Sequence, residues 1–496
     1  MNDSISLNPN KIVKALGKPA ADFTKQDLIR FIEKNDIRML NFRYVAGDGR
    51  LKKLNFVINS KVHLDKVLSM GERVDGSSLF SFVSADSSDL YVVPRYRTAF
   101  VNPFTEVPTI DVICSFYDSQ GLPLESAPEH ILGKAQRTLK ERTGLTMEAL
   151  GELEYYLFSE IDRIYPISEQ RGYHESHPFS KWGLVRREAM QVISEMGGTI
   201  KYGHAEVGNI LSGDLEMVQH EIEFLPAPIE DAADQLVMAK WAIREVAYKH
   251  NLEVSFAPKI IVGQAGSGMH IHTRFMKDGV NVMADEQGLT DTARKVIAGF
   301  LMCSESLTAF GNTVPTSFLR LVPHQEAPTS ICWGDRNRSV LVRVPLGWVG
   351  VGDRMVRDAN PAEPGGGFGP FENNQTVELR SPDGSANAHL LLAGMAAAAR
   401  HGLEHPDALK LAAELYVKND ASRIAGLRQL PASCFESAEC LKRDRERYEA
   451  FGVFPAGLLD AIAKNLQAYE DLNMSEKMYG NADSLKNLVE RFLHCG

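Results

Sequence analysis

The pattern of hydrophobic positions in the first part of the chain changes from helical to strand-like spacing. Apolar residues at helical spacing follow Thr24, a residue type that caps helices, and predict a helix over Thr24–Asn35. Alternating runs at Met39–Val45 and Leu51–Ile58, joined by Ala46-Gly47-Asp48-Gly49, predict a hairpin. Further strands are predicted at Asp89–Val93 and Val107–Phe116. With turn residues at Gly121-Leu122-Pro123, this pattern predicts a small α+β domain over residues 1–122.

From Pro128 onward, longer helical periods are separated by β segments, which predicts a larger α+β domain over residues 123–496. A glycine- and proline-rich stretch, Gly347–Asn374, is predicted to be a long loop, which is usually functional or disordered. Helices are predicted over 128–143, 181–196, 229–250, 290–309, 386–402 and from about 436 to the end. The β segments are Met147–Phe158, Gly198–His204, Met217–Phe224, Glu253–Ile261, Met269–Phe275, Ile331–Trp333, Ser339–Val344 and Thr376–Arg380.

Several predicted strands carry two polar side chains on either side of an apolar one. The pairs are Glu152/Glu154, Glu221/Glu223, His270/His272 and Glu378/Arg380, and the histidine pair follows a glycine loop that begins at Gly263. Residues two apart in a strand share a face. One interpretation is an antiparallel sheet with one wet face. The other, favoured by the apolar neighbours, is a shared polar cavity, because a buried carboxylate needs a partner or a metal.

Carboxylates with one histidine suit hard divalent cations, Mg²⁺ or Mn²⁺, and no Cys/His set has zinc spacing. Two such ions need around six ligands. The candidate ligands are Glu152, Glu154, Glu206, Glu221, His270 and Glu378.

Arginines form a second candidate group. A planar guanidinium pairs bidentately with carboxylate or phosphate, so clustered arginines indicate anion binding, although each one alone is typical of a surface residue. The sequence contains neither G-x-x-x-x-G-K-[ST] nor a G-x-G-x-x-G that opens a helix after a strand, so a bound nucleotide would be held by metals and arginines. The arginines are Arg320, Arg336, Arg338, Arg343 and Arg380.

Composition narrows the class of protein. The formal net charge is −10 and the chain has no long basic run, which disfavours nucleic-acid and anionic-membrane partners. The longest apolar stretch, Leu390–Ala399, is too short to span a bilayer. The N-terminus lacks the features of a signal peptide, and six scattered cysteines form no C-x-x-C. A cytoplasmic protein is predicted.

The ordered set of motifs resembles the glutamine synthetase family over most of the chain. The motifs are Asp-Gly-Ser-Ser at 75–78, Glu-x-Glu at 152–154, Gly-Ser-Gly-Met-His-x-His at 266–272, Arg-Leu-Val-Pro-x-x-Glu-Ala-Pro at 320–328 and Asn-Arg-Ser at 337–339. The resemblance implies a β-grasp-like N-terminal domain and a catalytic domain whose antiparallel strands form an open, barrel-like active site. It also implies a ring-shaped homo-oligomer, in the form of a dodecamer, with active sites between subunits.

The resemblance further implies ligation of ammonia to glutamate at the expense of ATP, with two or three Mg²⁺ or Mn²⁺ ions per site. Glu154, Glu206 and Glu221 would hold one metal, and Glu152, His270 and Glu378 the other. For the substrates, Arg320, Arg380 and the backbone of Gly266 would bind glutamate, and Arg338, Arg343 and His272 would contact the ATP phosphates. Glu326 would lie on a closing flap, and Asp75, with Ser78 nearby, would bind and deprotonate ammonium from the adjacent subunit.

The chain departs from the family pattern in three places. The spacing after Glu206 is longer than usual, so Asp214 or Glu216 is an alternative to Glu221 as third ligand of the first metal. The segment between Arg343 and Glu378 is also longer than usual. Ala265 stands where the family usually has an asparagine, and His324-Gln325 replaces the usual Gly-Tyr.

Two other functions compete with ammonia ligation. The nearer one is a γ-glutamyl ligase for an organic amine or polyamine; retention of Asp75 favours ammonia because that carboxylate suits a small cation. The other is a catalytically silent, regulatory family member, which predicts losses among the metal ligands or at Arg338 that the sequence does not show. Tyr416 lacks the acidic-proline context of an adenylylation site, so it is predicted to be unmodified.

Overall fold

A computed structural model describes residues 3–84, 88–322, 327–347, 352–362, 374–478 and 480–496. It has the mixed α+β composition predicted from the sequence. The flap residue Glu326, His324-Gln325 and much of the glycine-rich stretch 347–374 lie outside the described residues.

The first sheet has the strand order β2-β1-β6-β4-β3, with β5 on β6. Strands β1 and β6 run parallel, and the other pairs are antiparallel. The helix predicted after Thr24 is confirmed, with a capping box between Thr24 and Asp27. The strands are β1 Met39–Val45, β2 Leu51–Val57, β3 Glu72–Asp75, β4 Asp89–Pro94, β5 Phe100–Val101 and β6 Thr109–Tyr117; the helices are α1 Asp3–Ser6, α2 Lys11–Leu16, α3 Lys25–Lys34 and α4 Lys61–Met70.

The second sheet is larger and positions the candidate site. Its order is β16-β17-β18-β12-β7-β9-β8, with β10 and β11 on β7 and β13 on β12. Its pairs are antiparallel except for β16 with β17. The strands are β7 Thr146–Glu160, β8 Ile200–Ser212, β9 Leu215–Phe224, β10 Ala227–Pro228, β11 Glu253–Ser255, β12 Met269–Lys277, β13 Val280–Asn281, β16 Trp333–Asp335, β17 Val342–Val344 and β18 Val377–Leu379; β14 Ala284–Asp285 and β15 Gly288–Leu289 pair separately.

Helices cover the apolar face of this second sheet. Gly151, immediately before Glu152 of β7, faces the helices: a Cβ there would lie 2.7 Å from Leu236, in the helix over Ile229–Lys249. Glu152 and Glu154 therefore face the opposite way, into the site. The helices are α5 Pro128–Thr143, α6 Gly183–Glu195, α7 Ile229–Lys249, α8 Asp291–Gly311, α9 Ser317–Arg320, α10 Gly352–Ala359, α11 Ala388–Glu404, α12 Ala408–Glu414, α13 Cys434–Glu449, α14 Ala456–Gln467, α15 Met474–Lys477 and α16 Ala482–Phe492.

Buried ion pairs join the first sheet to these helices. Arg95 donates to both carboxylate oxygens of Asp234 on α7, at 2.8 and 3.0 Å, and His389 of α11 contacts the same carboxylate at 3.0 Å. The guanidinium of Arg43 stacks 3.9 Å over the ring of Trp241. The boundary at residue 122 stays a prediction.

Three local predictions were wrong. The strand predicted over Glu253–Ile261 ends at Ser255, because the chain leaves the sheet before Pro258, which has no N–H to donate to a ladder. The strand predicted to end at His204 continues to Ser212 and turns back at Gly213, whose φ is 61°. Within the predicted loop 347–374, residues Gly352–Ala359 form a helix.

Candidate active site

Strand register gathers the polar pairs into three rows across the sheet. One row joins Glu223, Glu152 and His270. A second joins His204, Glu221 and Glu154. The third row contains Arg343, Glu378 and His272. The rows contain five of the six predicted metal-ligand candidates, and the sixth, Glu206, lies on β8 and lines the same cavity.

These rows line or underlie one cavity of about 580 Å³. The described lining residues all lie between Glu152 and Arg380. They comprise Glu152, Glu154, Tyr173, Tyr202, His204, Glu206, Val207, Glu221, Lys259, Gly266, His270, Arg320, Ala327, Arg338, Ser339, Arg343 and Arg380.

Glu152 is the centre of a buried carboxylate–imidazole cluster. His270 Nδ1 lies 2.9 Å from its Oε2, and His272 Nε2 lies 2.9 Å from its Oε1. Glu378 lies close by, 3.6 Å from His270 Nδ1. Burial opposes ionisation of Glu152, but the charge of His272 and hydrogen bonds from both histidines outweigh it, so its pKa lies well below the usual value.

Glu221 lies in the opposite electrostatic environment. Burial raises its pKa well above the usual value, and repulsion from Glu152, Glu154 and Glu206 adds to the shift. His204 Nε2 lies 3.2 Å from its Oε1. A cation placed among these carboxylates would relieve their repulsion.

The donor atoms fit divalent metal ions. Glu152, His272 and Glu378 form one group of three donors within 4.8 Å of one another, and His204, Glu206 and Glu221 form another. Oxygen-rich sets with an imidazole suit Mg²⁺ or Mn²⁺. These groups of three contain His272 where His270 was expected, and His204 where Glu154 was expected.

The alternatives to Glu221 lie elsewhere. Glu216 is on the opposite face of β9, where it accepts hydrogen bonds from Ser159 Oγ at 3.2 Å and from the N–H of Asp162 at 3.4 Å. Asp214 lies in the turn between β8 and β9. The geometry therefore favours Glu221 as the cavity carboxylate.

The glycine loop before β12 is held by side chains that sequence reasoning missed. Gln219, buried in β9, donates to Glu154 Oε2 and to the carbonyl oxygen of Gly266, both at 3.0 Å. Tyr156 Oη donates to the carbonyl oxygen of Ala265 at 2.9 Å. At Gly266 a Cβ would lie 2.4 Å from the backbone oxygen of Pro258, so this close approach requires glycine.

Two of the predicted arginines are already engaged with carboxylate. Arg343 Nη1 lies 2.7 Å from Glu378 Oε2, and Arg380 Nε lies 3.0 Å from Glu378 Oε1. The buried Arg320 donates to the carbonyl oxygen of Ser381 at 2.8 Å and contacts His270 Nε2 at 3.3 Å. Arg338 is exposed at the rim of the cavity.

Further cavity residues were missed by sequence reasoning. Tyr202 and His204 precede Glu206 at the same period of two, and that signal was readable in the sequence. Lys259 is 1% exposed and donates to the carbonyl oxygen of Gln264 at 2.7 Å. Tyr173 reaches the cavity from an irregular segment between β7 and α6, which periodicity does not detect.

Asp75 and Ser78 lie apart from this cavity, on the first domain. Asp75 is exposed, and its carboxylate accepts hydrogen bonds from the Ser77 N–H at 3.0 Å, from Ser77 Oγ at 2.7 Å and from Ser78 Oγ at 2.7 Å. Hydrogen bonds from Ser78 and Ser77 lower its pKa to about 2. The carboxylate is therefore ionised at neutral pH.

No helix within the described ranges combines the length and the apolarity that crossing a membrane requires.

Comparisons with known proteins identify the family of the chain. The family profile "Glutamine synthetase, catalytic domain" matches residues 125–468, and "Glutamine synthetase, beta-Grasp domain" matches 36–119. A glutamine synthetase of Clostridium saccharobutylicum is 30% identical over 444 residues, covering 87% of this chain and 92% of its own. One from Thermus thermophilus is 30% identical over 446 residues, with the same coverage.

Solved structures show the same fold. A Plasmodium falciparum glutamine synthetase superposes with a TM-score of 0.74 at 18% identity, covering 93% of this chain and 98% of its own. A ligand-free structure of a protein named GmaS gives 0.71 at 20% identity, covering 92% and 100%. The β-grasp domain and the antiparallel catalytic sheet predicted from the resemblance are confirmed. The chain belongs to the glutamine synthetase family and is a ligase of that family, whose members depend on ATP and divalent metal ions.

Proposed function

We propose that the protein ligates ammonia to the γ-carboxylate of L-glutamate through γ-glutamyl phosphate, giving L-glutamine, ADP and phosphate. The observation that carries the proposal is the meeting of carboxylate–imidazole clusters with Arg320, Arg338, Arg343 and Arg380 in one cavity. Phosphoryl transfer from ATP to a carboxylate gathers negative charge at one point. Metal ions and arginines held in fixed positions can stabilise this charge without a covalent intermediate on the protein.

The metal sites proposed are those expected from the family pattern. Glu154, Glu206 and Glu221 hold one ion, and Glu152, His270 and Glu378 hold the other; the ion is Mg²⁺ or Mn²⁺, with two or three ions per site. Bound ions neutralise charge on the transferred phosphoryl group. The carboxylates keep those ions at a fixed place because strands β7, β9 and β12 are central in the sheet.

The arginines divide between the two substrates. Arg320 and Arg380 bind the carboxylates of glutamate, beside the backbone of Gly266. Arg338 and Arg343, with His272, contact the ATP phosphates. Support comes from the position of Arg320 under the glycine loop: its Cγ lies 3.1 Å from the position of a Cβ at residue 266. Glu326 is proposed as the flap group that shields the acyl phosphate from water.

Ammonium is bound and deprotonated by Asp75, with Ser78 nearby, from a neighbouring subunit. Its ionised carboxylate suits a small cation. Asp75 is not among the described residues that line the cavity, which supports a neighbouring chain as the source of this acid. We therefore propose a ring-shaped homo-oligomer, a dodecamer, with shared sites. Six free cysteines support a reducing compartment, the cytoplasm.

Mixing inactive variants tests the shared site. Asp75→Asn and Arg338→Ala each abolish most turnover alone. If they are co-assembled at equal amounts, about a quarter of the shared sites combine an intact Asp75 with an intact Arg338, and activity returns to about that fraction. Absence of recovery in verified mixed oligomers would place Asp75 outside the neighbour's site.

The acceptor is tested with parallel amines. The protein is assayed with ATP, Mg²⁺ or Mn²⁺ and glutamate, and products are identified by mass spectrometry with ammonium, methylamine, ethanolamine or polyamines. Glutamine formation with the highest kcat/KM for ammonium supports the proposal. The alternative is an organic amine or polyamine as the acceptor. Product formation with one amine alone would establish that alternative, and no product with any acceptor would point to a silent member.

A further inference from the structure

His204 shares a strand face with the cavity carboxylates. On β8, Tyr202, His204 and Glu206 alternate with residues that point away, and all three line the cavity. The register places His204 directly opposite Glu221 of β9.

The hydrogen bonds of His204 fix which ring nitrogen is available. Nδ1 lies 3.0 Å from the carbonyl oxygen of Ala205. A carbonyl can only accept, so Nδ1 carries the proton and Nε2 of the neutral ring keeps its lone pair. That lone pair lies 3.2 Å from Glu221 Oε1. Metal-bound histidines typically donate their second ring N–H to a backbone carbonyl in this way.

The separation between the two donor atoms fits a shared ion. Nitrogen and oxygen ligands lie about 2.1 Å from a divalent first-row metal, so two of them at angles of about 90–110° are about 3.0–3.4 Å apart. The observed 3.2 Å lies in this range. A donor atom of Glu206 completes a group within 4.8 Å.

Glu154 has a different set of contacts. Its Oε2 accepts hydrogen bonds from the N–H of Gly268 at 2.8 Å and from Gln219 Nε2 at 3.0 Å. Its Oε1 lies 3.9 Å from His270, between the two clusters. The side chain is thus tied to the glycine loop, while His204 lies directly beside Glu221.

We propose that His204 Nε2 is a further direct ligand of the divalent ion assigned above to Glu154, Glu206 and Glu221, so that this centre has a nitrogen donor and prefers Mn²⁺ to Mg²⁺. An imidazole binds Mn²⁺ and later first-row ions better than the hard Mg²⁺ ion, which favours oxygen. The inference rests on the proposed function only for the presence of a divalent ion.

Metal binding without substrates tests this ligand. Metal-free, full-length protein is titrated with Mn²⁺, and free Mn²⁺ is measured by electron paramagnetic resonance. In His204→Asn, one class of Mn²⁺ sites weakens by about tenfold or more, the scale set by the loss of supporting groups at metal sites. Competition experiments should show that His204→Asn loses less affinity for Mg²⁺ than for Mn²⁺, so the preference of the site for Mn²⁺ falls. His174→Asn, which removes the exposed ring 4.3 Å from His204, is the matched control and stays within twofold.

A spectroscopic measurement separates this ligand from the other cluster. In a His270→Asn/His272→Asn background, pulsed electron paramagnetic resonance of bound Mn²⁺ detects ¹⁴N coupling from His204, and adding His204→Asn removes it. Unchanged Mn²⁺ affinity in folded His204→Asn, or no ¹⁴N coupling in that background, would overturn the proposal; a proton would then bridge His204 and Glu221. If His204→Asn does not fold, the background variant alone decides. Failure to form glutamine leaves both metal measurements unaffected.

Discussion

Gln219 connects β9, the strand of the proposed metal ligand Glu221, to the glycine loop, and Gln219→Leu removes that connection. The amide nitrogen donates to Glu154 Oε2, to the Gly266 carbonyl and, at 3.3 Å, to Ser267 Oγ. The amide oxygen accepts from the N–H of Gly208 at 3.0 Å. Leucine has a similar volume and none of these groups.

The cost follows from the groups left behind. The Gly208 N–H and the Gly266 carbonyl lose a partner inside the protein, at about 1–3 kcal/mol each. Glu154 Oε2 keeps the N–H of Gly268, so its loss is partial. Burial of the additional apolar surface of leucine stabilises the folded state by about 1 kcal/mol. We expect the free energy of unfolding to fall by about 3 kcal/mol, with an increase in KM for glutamate because Gly266 is no longer held.

Urea unfolding of the metal-free protein and steady-state kinetics measure the two effects. Gln136→Leu is the matched control: Gln136 exchanges two hydrogen bonds with the backbone of Met147, at 2.9 and 3.1 Å, away from the cavity. The variant Gln136→Leu should lose a similar amount of unfolding free energy and keep the wild-type KM for glutamate. Equal KM values for the two variants would refute the role of Gln219 in positioning the loop, and unchanged stability of Gln219→Leu would refute the energy argument.

Four further outcomes are expected. Arg338→Ala lowers kcat by two or more decades with a modest change in ATP affinity, since one charge stabiliser contributes about 3–4 kcal/mol to the barrier; near-normal kcat would remove its role. Isothermal titration should show that Glu221→Gln weakens metal binding and Glu216→Gln does not; the reverse would exchange their roles. Gly266→Ala raises the KM for glutamate, because its Cβ would lie 2.4 Å from Pro258 O; an unchanged KM would contradict the close approach. The pKa of Glu221 is raised above its ordinary value of 4.5, so this group stabilises the metal-free fold at pH values below 4.5. This stabilisation is lost as pH rises through the pKa of Glu221 in the folded protein. The urea midpoint of Glu221→Gln should therefore vary less with pH than that of the wild type, and an equal dependence on pH would contradict the shift.

Period-two patterns predicted which side chains share a face, but not which strands are neighbours. Glu152 and Glu154 face the cavity as their alternation requires, with Gly151 on the helix side. The pairing of β7 with both β12 and β9 is long-range and has no local signal. Consequently the six carboxylate and histidine candidates could be named from the sequence. Their grouping around Glu152 and Glu221 could be seen only from the pairing of the strands in the structure.

Residues that act from irregular segments were harder to find. Lys259 lies in the segment where the predicted strand is replaced by an irregular path, so its position in the cavity had no periodic signal. Gln219 is a neutral polar residue in a strand that also carries three glutamates, and only its contacts with Glu154 and Gly266 show its role. Backbone capping and turn residues such as Thr24, by contrast, act on neighbours in sequence and were predictable.

The metal-ligand carboxylates and the anion-binding arginines, which the sequence presents as two sets, are one network at Glu378. This buried carboxylate holds Arg343 at 2.7 Å and Arg380 at 3.0 Å, and it lies opposite His272 across the strands. The two guanidiniums supply the positive charge that the buried Glu378 carboxylate needs. If Glu378 holds the proposed divalent ion, that ion would supply the same charge and would weaken the contacts of Glu378 with both arginines. Arg343 and Arg380 would then be more available to anionic substrates, so the two sets of residues would be coupled through one carboxylate.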